Sequence, residues 1–168
     1  LIKHLVRAGA RVSVFDQKTE AELQPFLSQL AGLELEYRFG PNYLSHLNGF
    51  EYIFTTPGMK QSLPELQQAR AADAIFSSEM ELFFELCPGR IIGITGSSGK
   101  TTTTTLVGLM LKAYYPQTFV GGNIGCSLLE RLPEMNSESF IVLELSSFQL
   151  QELRQSPYLA VITNLTPN

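Results

Sequence analysis

Two glycines, a lysine and a hydroxyl side chain follow one another closely after the apolar segment Ile91–Ile94. Gly96 and Gly99 allow the backbone to approach an anion, so that its N–H groups can bind phosphate oxygens. Lys100 offers a cation to the terminal phosphates, and the Thr101 hydroxyl is placed to bind Mg²⁺. These residue types in this order predict a site for a nucleoside triphosphate, in which residues 96–99 form what we call the glycine loop.

The strict phosphate-binding pattern is not met. It requires a glycine five residues before Gly99, where this chain has Ile94, and Gly93 comes one position too early. The shorter core Thr-Gly-x-x-Gly-Lys-Thr, residues 95–101, remains, and it lies between an apolar strand and a helix, which is the context this chemistry needs. The alternative interpretation is a glycine turn beside a solvated lysine.

Glu144 is the acidic residue that best suits a metal at this site. It directly follows the apolar run Phe140–Leu143, so a buried strand delivers a carboxylate to one edge of the sheet. In parallel sheets ligands bind beyond the carboxyl ends of the strands, where Lys100 and Thr101 are also expected. We predict that Glu144 binds Mg²⁺ there. The alternative is a partly exposed acid without a ligand.

Three further positions have two interpretations each. Ser146 has a glutamine three residues later, which is the capping-box pattern of a helix start, and it could also contact a substrate. Gly121–Gly125 could be a turn or a close approach of the backbone to a ligand around Asn123. Asp16 ends a predicted strand, where it could bind a ribose hydroxyl or cap the backbone.

Composition excludes several classes of protein. The 168 residues are 44% hydrophobic and 17% charged, as in ordinary globular proteins. A net charge of −4 with a pI near 5.2 argues against nucleic-acid binding, and no apolar run reaches the roughly 20 residues of a membrane span. We therefore expect a cytoplasmic protein that has no nucleic-acid or membrane partner. We also expect it to be a monomer. Cys87 and Cys126 are predicted to be buried reduced thiols, and His4 and His46 to be surface residues.

Strand-like and helix-like segments alternate along the whole chain, which predicts an α/β fold with parallel sheets. The predicted helices cover residues 1–8, 19–30, 64–72, 79–86, 100–114, 128–132 and 147–154. The predicted strands cover residues 11–16, 33–38, 50–55, 74–77, 91–95, 140–145 and 158–164, with one more ending at 121–125. Pro88-Gly89 is the best boundary, so we predict one domain over 1–88 and a second over 89–168.

Four strings of residues resemble the Mur ligases of peptidoglycan synthesis. They are Thr95–Thr102, Gly121–Gly125, Glu144–Leu150 and Thr163–Asn168. The third string, Glu-Leu-Ser-Ser-Phe-Gln-Leu, is similar to that of the family members that add D-glutamate. The resemblance covers essentially the whole chain.

This resemblance implies a Rossmann-like uridine-nucleotide-binding domain followed by part of a central ATP-binding domain. It implies ATP and Mg²⁺ as cofactors, UDP-N-acetylmuramoyl-L-alanine and D-glutamate as substrates, and ligation through an acyl phosphate. The residues it implies for ATP are Gly96, Ser97, Ser98, Gly99, Lys100, Thr101 and Thr102. The residues it implies for Mg²⁺ are Thr101 and Glu144, and those for catalysis are Lys100, Asn123 and Glu144. The residues it implies for the substrate are Asp16, Thr56, Pro57, Gly58, Asn123 and Ser146.

The chain begins with Leu1 inside a predicted helix, and the first strand and glycine turn of a mononucleotide-binding unit would precede it. We therefore expect a fragment that cannot complete turnover by itself. Two other functions remain open. One is a different ATP-dependent amide ligase or a small-molecule kinase, and the other is a non-catalytic uridine-nucleotide-binding module.

Overall fold

The computed structural model of this chain describes residues 1–124 and 127–166. Six α-helices and eight strands occur within the described residues. The helices are α1 (Ile2–Arg7), α2 (Glu20–Leu27), α3 (Pro64–Ala71), α4 (Glu79–Leu86), α5 (Lys100–Tyr114) and α6 (Ser147–Glu152). The strands are β1 (Val12–Asp16), β2 (Leu35–Phe39), β3 (Tyr52–Phe54), β4 (Ile75–Ser77), β5 (Arg90–Thr95), β6 (Thr118–Gly122), β7 (Phe140–Glu144) and β8 (Leu159–Ile162). The predicted α/β class is confirmed.

The chain divides into two compact units, and the first comprises residues 1–53 and 60–76. Its strands β1 and β2 are parallel, with Val12 opposite Leu35 and Asp16 opposite Phe39. Helix α2 connects them, as expected for parallel neighbours. Strands β3 and β4 form a two-stranded sheet, most of which lies in this unit.

The second unit comprises residues 54–59 and 77–168 in this division, and it contains a four-stranded sheet in the order β6-β7-β5-β8. Every pairing in this sheet is parallel. The two central strands are continuous apolar runs because both faces are covered, and Ile94 and Val142 are fully buried. Helix α5 packs on them through Val107 and Leu111. The carboxyl ends of β5, β6 and β7 therefore lie at one edge of this sheet.

The predicted domain boundary at 88/89 stays a prediction. Pro88 and Gly89 lie within the second compact unit, where Arg90 N donates to Ser139 O at 2.8 Å. No helix among the described residues is long and apolar enough to cross a membrane.

Two predicted helices differ from the structure in length or in type. The helix predicted over 19–30 is α-helical only to Leu27 and then continues as a 3₁₀ turn, and Pro25 lies within it. The segment predicted as a helix near 128–132 is a 3₁₀ helix, Leu128–Glu134, that contains Pro133. Proline removes a backbone donor, which favours such short or tightened helices.

A buried acid explains why α6 ends before Arg154. The Glu81 carboxylate is 3% exposed and accepts the backbone N–H of Arg154 at 2.9 Å. That N–H is therefore used outside the helix, and the predicted extension to residue 154 is wrong by two residues. Cys87 is a free thiol and is only partly buried, although burial still raises its pKa. Cys126 lies outside the described residues.

A second acid, Glu152, carries a prediction about pH. Burial raises the pKa of Glu152 above its usual value near 4.5, while a hydrogen bond with the Ser78 side chain opposes this shift. Its Oε2 atom has no hydrogen-bond partner among the described residues. A raised folded-state pKa means that stability falls as pH rises through the window above 4.5, because ionisation is harder in the folded state.

We expect Glu152→Gln to raise the unfolding temperature of the full-length protein by about 2 °C at pH 7.5 and to leave it unchanged near pH 4. Calorimetry at both pH values measures this, with the exposed Glu130→Gln as the control. An equal effect at the two pH values would contradict the burial argument.

Candidate functional site

The glycine loop is an open, left-handed turn between β5 and α5. Gly96 has a φ of +141° and Gly99, the residue before α5, has a φ of +80°. Both values lie where glycine is favoured over other residues. The loop is thus not an extension of the helix, and the first N–H groups of the 15-residue α5 have no partner within the helix. The positive end of the helix dipole adds to the attraction of an anion there.

Lys100 lies against the loop that precedes it. Its Nζ donates to Gly96 O at 2.7 Å, so the ammonium group is held at the loop although the side chain starts on the helix. A cation in this place neutralises charge on a bound phosphate. The structure therefore places the Lys100 ammonium at the glycine loop, and its contact with the terminal phosphates stays a prediction.

Glu144 is the centre of the site. It ends β7 opposite Ile94 of β5, and it is 2% exposed. Its Oε2 atom accepts the Thr101 hydroxyl at 2.7 Å, and its Oε1 atom accepts the Asn123 side-chain amide at 3.1 Å. Three residues that the sequence marks separately are thus joined through one carboxylate.

Close packing explains why two glycines, Gly121 and Gly122, precede Asn123. A Cβ on Gly122, whose φ is +99°, would lie 2.8 Å from Glu144 N and closer still to Glu144 O. Asn123 N also donates to Glu144 O at 2.8 Å, so this turn is tied to the end of β7. A Cβ on Gly121 would lie 2.7 Å from the Leu128 side chain. These contacts hold Asn123 beside Glu144, and Gly125 lies outside the described residues.

The donor set suits a small hard cation. Mg²⁺ is bound by oxygen ligands and commonly takes one or two carboxylates, with water and substrate phosphates completing its shell. Glu144 and Thr101 offer a carboxylate and a hydroxyl that are already in contact, next to the loop. Among the described residues no group of three or more histidine, cysteine, aspartate or glutamate side chains forms a metal cluster. A metal held by Glu144 and Thr101 would take its remaining ligands from water and a bound phosphate.

The backbone N–H groups of Ser97 and Ser98, which could have bound phosphate, are hydrogen-bonded to Asn164 instead. Ser97 N donates to Asn164 O and Ser98 N donates to Asn164 Oδ1, both at 3.0 Å. Thr102 lies on the first turn of α5 and is exposed. A role of these three residues in ATP binding stays a prediction.

The predicted substrate residues are spread over both units. Asp16 ends β1 in the first unit, and its carboxylate accepts Lys18 N at 2.8 Å, which is the capping role. Thr56, Pro57 and Gly58 form an exposed turn in the second unit, in which Thr56 O accepts Met59 N at 3.1 Å. Their contact with a substrate stays a prediction.

Ser146 caps helix α6. Its hydroxyl accepts Gln149 N at 3.2 Å, while Ser146 N donates to Gln149 Oε1 at 2.9 Å. The capping-box interpretation is confirmed, and a contact of Ser146 with substrate stays a prediction.

Sequence reasoning missed the side chains that follow β8. Thr163 and Asn164 lie in the string Thr163–Asn168 that resembles the Mur ligases, but the sequence analysis predicts no role for either residue. Both contact the glycine loop. The available signal was a polar pair directly after an apolar strand, which is the same signal that marked Glu144.

Comparison with known proteins supports the same interpretation. Residues 94–168 match the family described as the Mur ligase middle domain. All 168 residues align with UDP-N-acetylmuramoylalanine–D-glutamate ligases, with 48% identity for the protein of Ruminiclostridium cellulolyticum and 46% for that of Acetivibrio thermocellus. The chain spans 36% of the length of each of these two relatives.

Among solved structures, a Mur-type ligase is similar over nearly the whole chain. It is the UDP-N-acetylmuramate:L-alanyl-gamma-D-glutamyl-meso-diaminopimelate ligase from Neisseria meningitides. The TM-score is 0.59 at 20% identity, and the match covers 98% of this chain and 56% of that one. At this identity the likeness supports the fold.

Proposed function

We propose that this chain belongs to the Mur ligases and that the protein containing it joins D-glutamate to UDP-N-acetylmuramoyl-L-alanine with hydrolysis of ATP. The observation that carries this proposal is the alignment of the entire chain, at 48% identity, with a ligase named for that reaction. The contacts that Glu144 makes with Thr101 and Asn123, beside a loop suited to phosphate, support it independently. The product is a precursor of peptidoglycan.

We assign the triphosphate to the glycine loop and the start of α5. Lys100 would neutralise the β and γ phosphates, and Thr101 and Glu144 would hold Mg²⁺. When bound, the metal supplies positive charge to the phosphate oxygens. Phosphoryl transfer depends mainly on positioning and charge neutralisation, which a buried carboxylate and a loop-bound ammonium can provide.

The proposed reaction has two steps. In the first, an oxygen of the alanine carboxylate attacks the γ phosphorus, the bond to the bridging oxygen breaks, and ADP leaves. In the second, the amine of D-glutamate attacks the carbonyl carbon of the acyl phosphate, the C–O bond breaks, phosphate leaves, and the amine loses a proton. Asn123 would face the transferring phosphate from beside Glu144.

We assign the uridine-linked substrate to the domain over residues 1–88. Asp16 ends β1 at a position where parallel sheets bind ligands, and the exposed turn Thr56–Gly58 follows β3 in the same way. Ser146, at the start of α6, is a separate candidate for contact with a substrate. We propose that the protein acts in the cytoplasm, where ATP and uridine nucleotides are available, and as a monomer.

The substrate test uses the full-length protein that contains this chain. Phosphate release from Mg²⁺·ATP is expected to require both UDP-N-acetylmuramoyl-L-alanine and D-glutamate, and L-glutamate is the control amino acid. Release that occurs equally with L-glutamate, with another amino acid or without one would overturn the assignment. Binding of the uridine nucleotide with no ATP turnover at all would point to a binding module instead.

A further inference from the structure

The segment that follows β8 is bonded to the glycine loop at several points. Thr163 N donates to Thr95 O at 2.9 Å, at the last residue pair of β5 and β8, Thr95 and Ile162. The Thr163 hydroxyl then donates to Ser98 O at 2.6 Å. The chain therefore leaves the strand and runs directly along the loop.

Asn164 makes the most complete set of these contacts. Its side-chain amide accepts Ser98 N and donates to Ser98 O, each at 3.0 Å, so it pairs with both polar groups of one loop residue. Its backbone O accepts Ser97 N at 3.0 Å. Both serine N–H groups are thus directed at Asn164, while the first N–H groups of α5 have no partner within the helix.

Gly96 is closely packed against the same segment. A Cβ at this position would lie 3.0 Å from Asn164 O and 3.1 Å from Asn164 N, and it would meet the Thr163 hydroxyl at still shorter range. The glycine is therefore needed for the fit between the loop and residues 163–164, besides any approach to phosphate. By contrast, a Cβ on Gly99 would meet nothing within 4 Å.

We propose that Asn164, assisted by the Thr163 hydroxyl, is a positioning residue that holds the glycine loop in the conformation that accepts the triphosphate. This inference rests on the proposed function only in that the loop binds ATP. Asn164 acts through Ser97 and Ser98, because the contacts of its amide are with the loop backbone. A loop with two left-handed glycines has many alternative conformations, and fixing it beforehand removes part of the entropy cost of binding.

The first test is Asn164→Ala in the full-length protein, with binding of Mg²⁺·AMP-PNP measured by calorimetry. We expect the dissociation constant and the KM for ATP to rise about 30-fold, as for the loss of several hydrogen bonds. The kcat at saturating ATP and the affinity for UDP-N-acetylmuramoyl-L-alanine should change less than about twofold. Unchanged AMP-PNP affinity would overturn the proposal, and so would an equal loss of kcat and of both affinities.

A matched pair at Thr163 makes the test independent of the folding of the alanine variant. Thr163→Ser keeps the hydroxyl and should bind AMP-PNP like the parent, whereas Thr163→Val keeps the shape and should bind about fivefold more weakly. Equal affinities of the serine and valine variants would contradict the inference even if Asn164→Ala did not fold. Because AMP-PNP binding needs no amino acid, these results stand apart from the D-glutamate test. A failure of that test alone would reject the ligase assignment and leave the role of Asn164 in place.

Discussion

Lys100→Ala is expected to lower the kcat for D-glutamate-dependent phosphate release by about 10³-fold in the full-length protein. The Lys100 ammonium is held at the loop by Gly96 O, 2.7 Å away, so it is already next to the predicted phosphate position. In the variant, the ammonium group that would neutralise the negative charge developing on the transferring phosphate is missing from the loop. Steady-state kinetics with saturating substrates measure the loss.

Lys112→Ala is the matched control for this variant. Lys112 lies on the same helix, in its last turn, and is exposed. Its removal should leave kcat within about twofold, since exposed charges distant from the site contribute little. A similar loss in the two variants would mean that the effect comes from α5 as a whole rather than from the ammonium group at the loop.

Glu144→Gln is expected to lower kcat by about 10²-fold and to raise the Mg²⁺ concentration needed for half-maximal rate. Glutamine fills the same volume at this position, which is 2% exposed, but it removes the negative charge. One carboxylate oxygen is also replaced by an NH₂ group, which would face the donor from Thr101 or the donor from Asn123. The variant therefore weakens the metal site with the smallest change in packing.

Glu138→Gln is the control for Glu144→Gln, because it also removes one negative charge close to β7. The Glu138 side chain is 78% exposed and pairs with Arg90 only at 3.9 Å, so its replacement should change neither kcat nor the Mg²⁺ requirement. If Glu144→Gln retained the parental Mg²⁺ requirement, the carboxylate would not be a metal ligand.

The fold class and the centre of the site could be predicted because both depend on patterns local to the sequence. Continuous apolar runs such as Phe140–Leu143 indicate buried parallel strands, and parallel strands gather their carboxyl ends at one edge. Glu144, Lys100 and Asn123 follow such runs or the turns after them, and the structure places the three around one loop and one carboxylate.

The contacts of Asn164 could not be predicted, because they depend on the register between β8 and β5. Only that register, with Thr95 opposite Ile162, places Asn164 beside Ser98, and residues 66 positions apart carry no local signal of it. The same reasoning applies to the end of α6, which is set by Glu81 from another helix. Asp16 and Ser146 make local capping bonds that leave a substrate role open.

Calorimetric titration of the full-length protein with ATP, once in excess Mg²⁺ and once in EDTA, tests the central claim most directly. If the glycine loop and Glu144 form a shared site for the triphosphate and the metal, ATP should bind at least about tenfold more tightly with Mg²⁺, and this difference should disappear in Glu144→Gln. The same ATP affinity in Mg²⁺ and in EDTA, for the parent and the variant alike, would contradict the account.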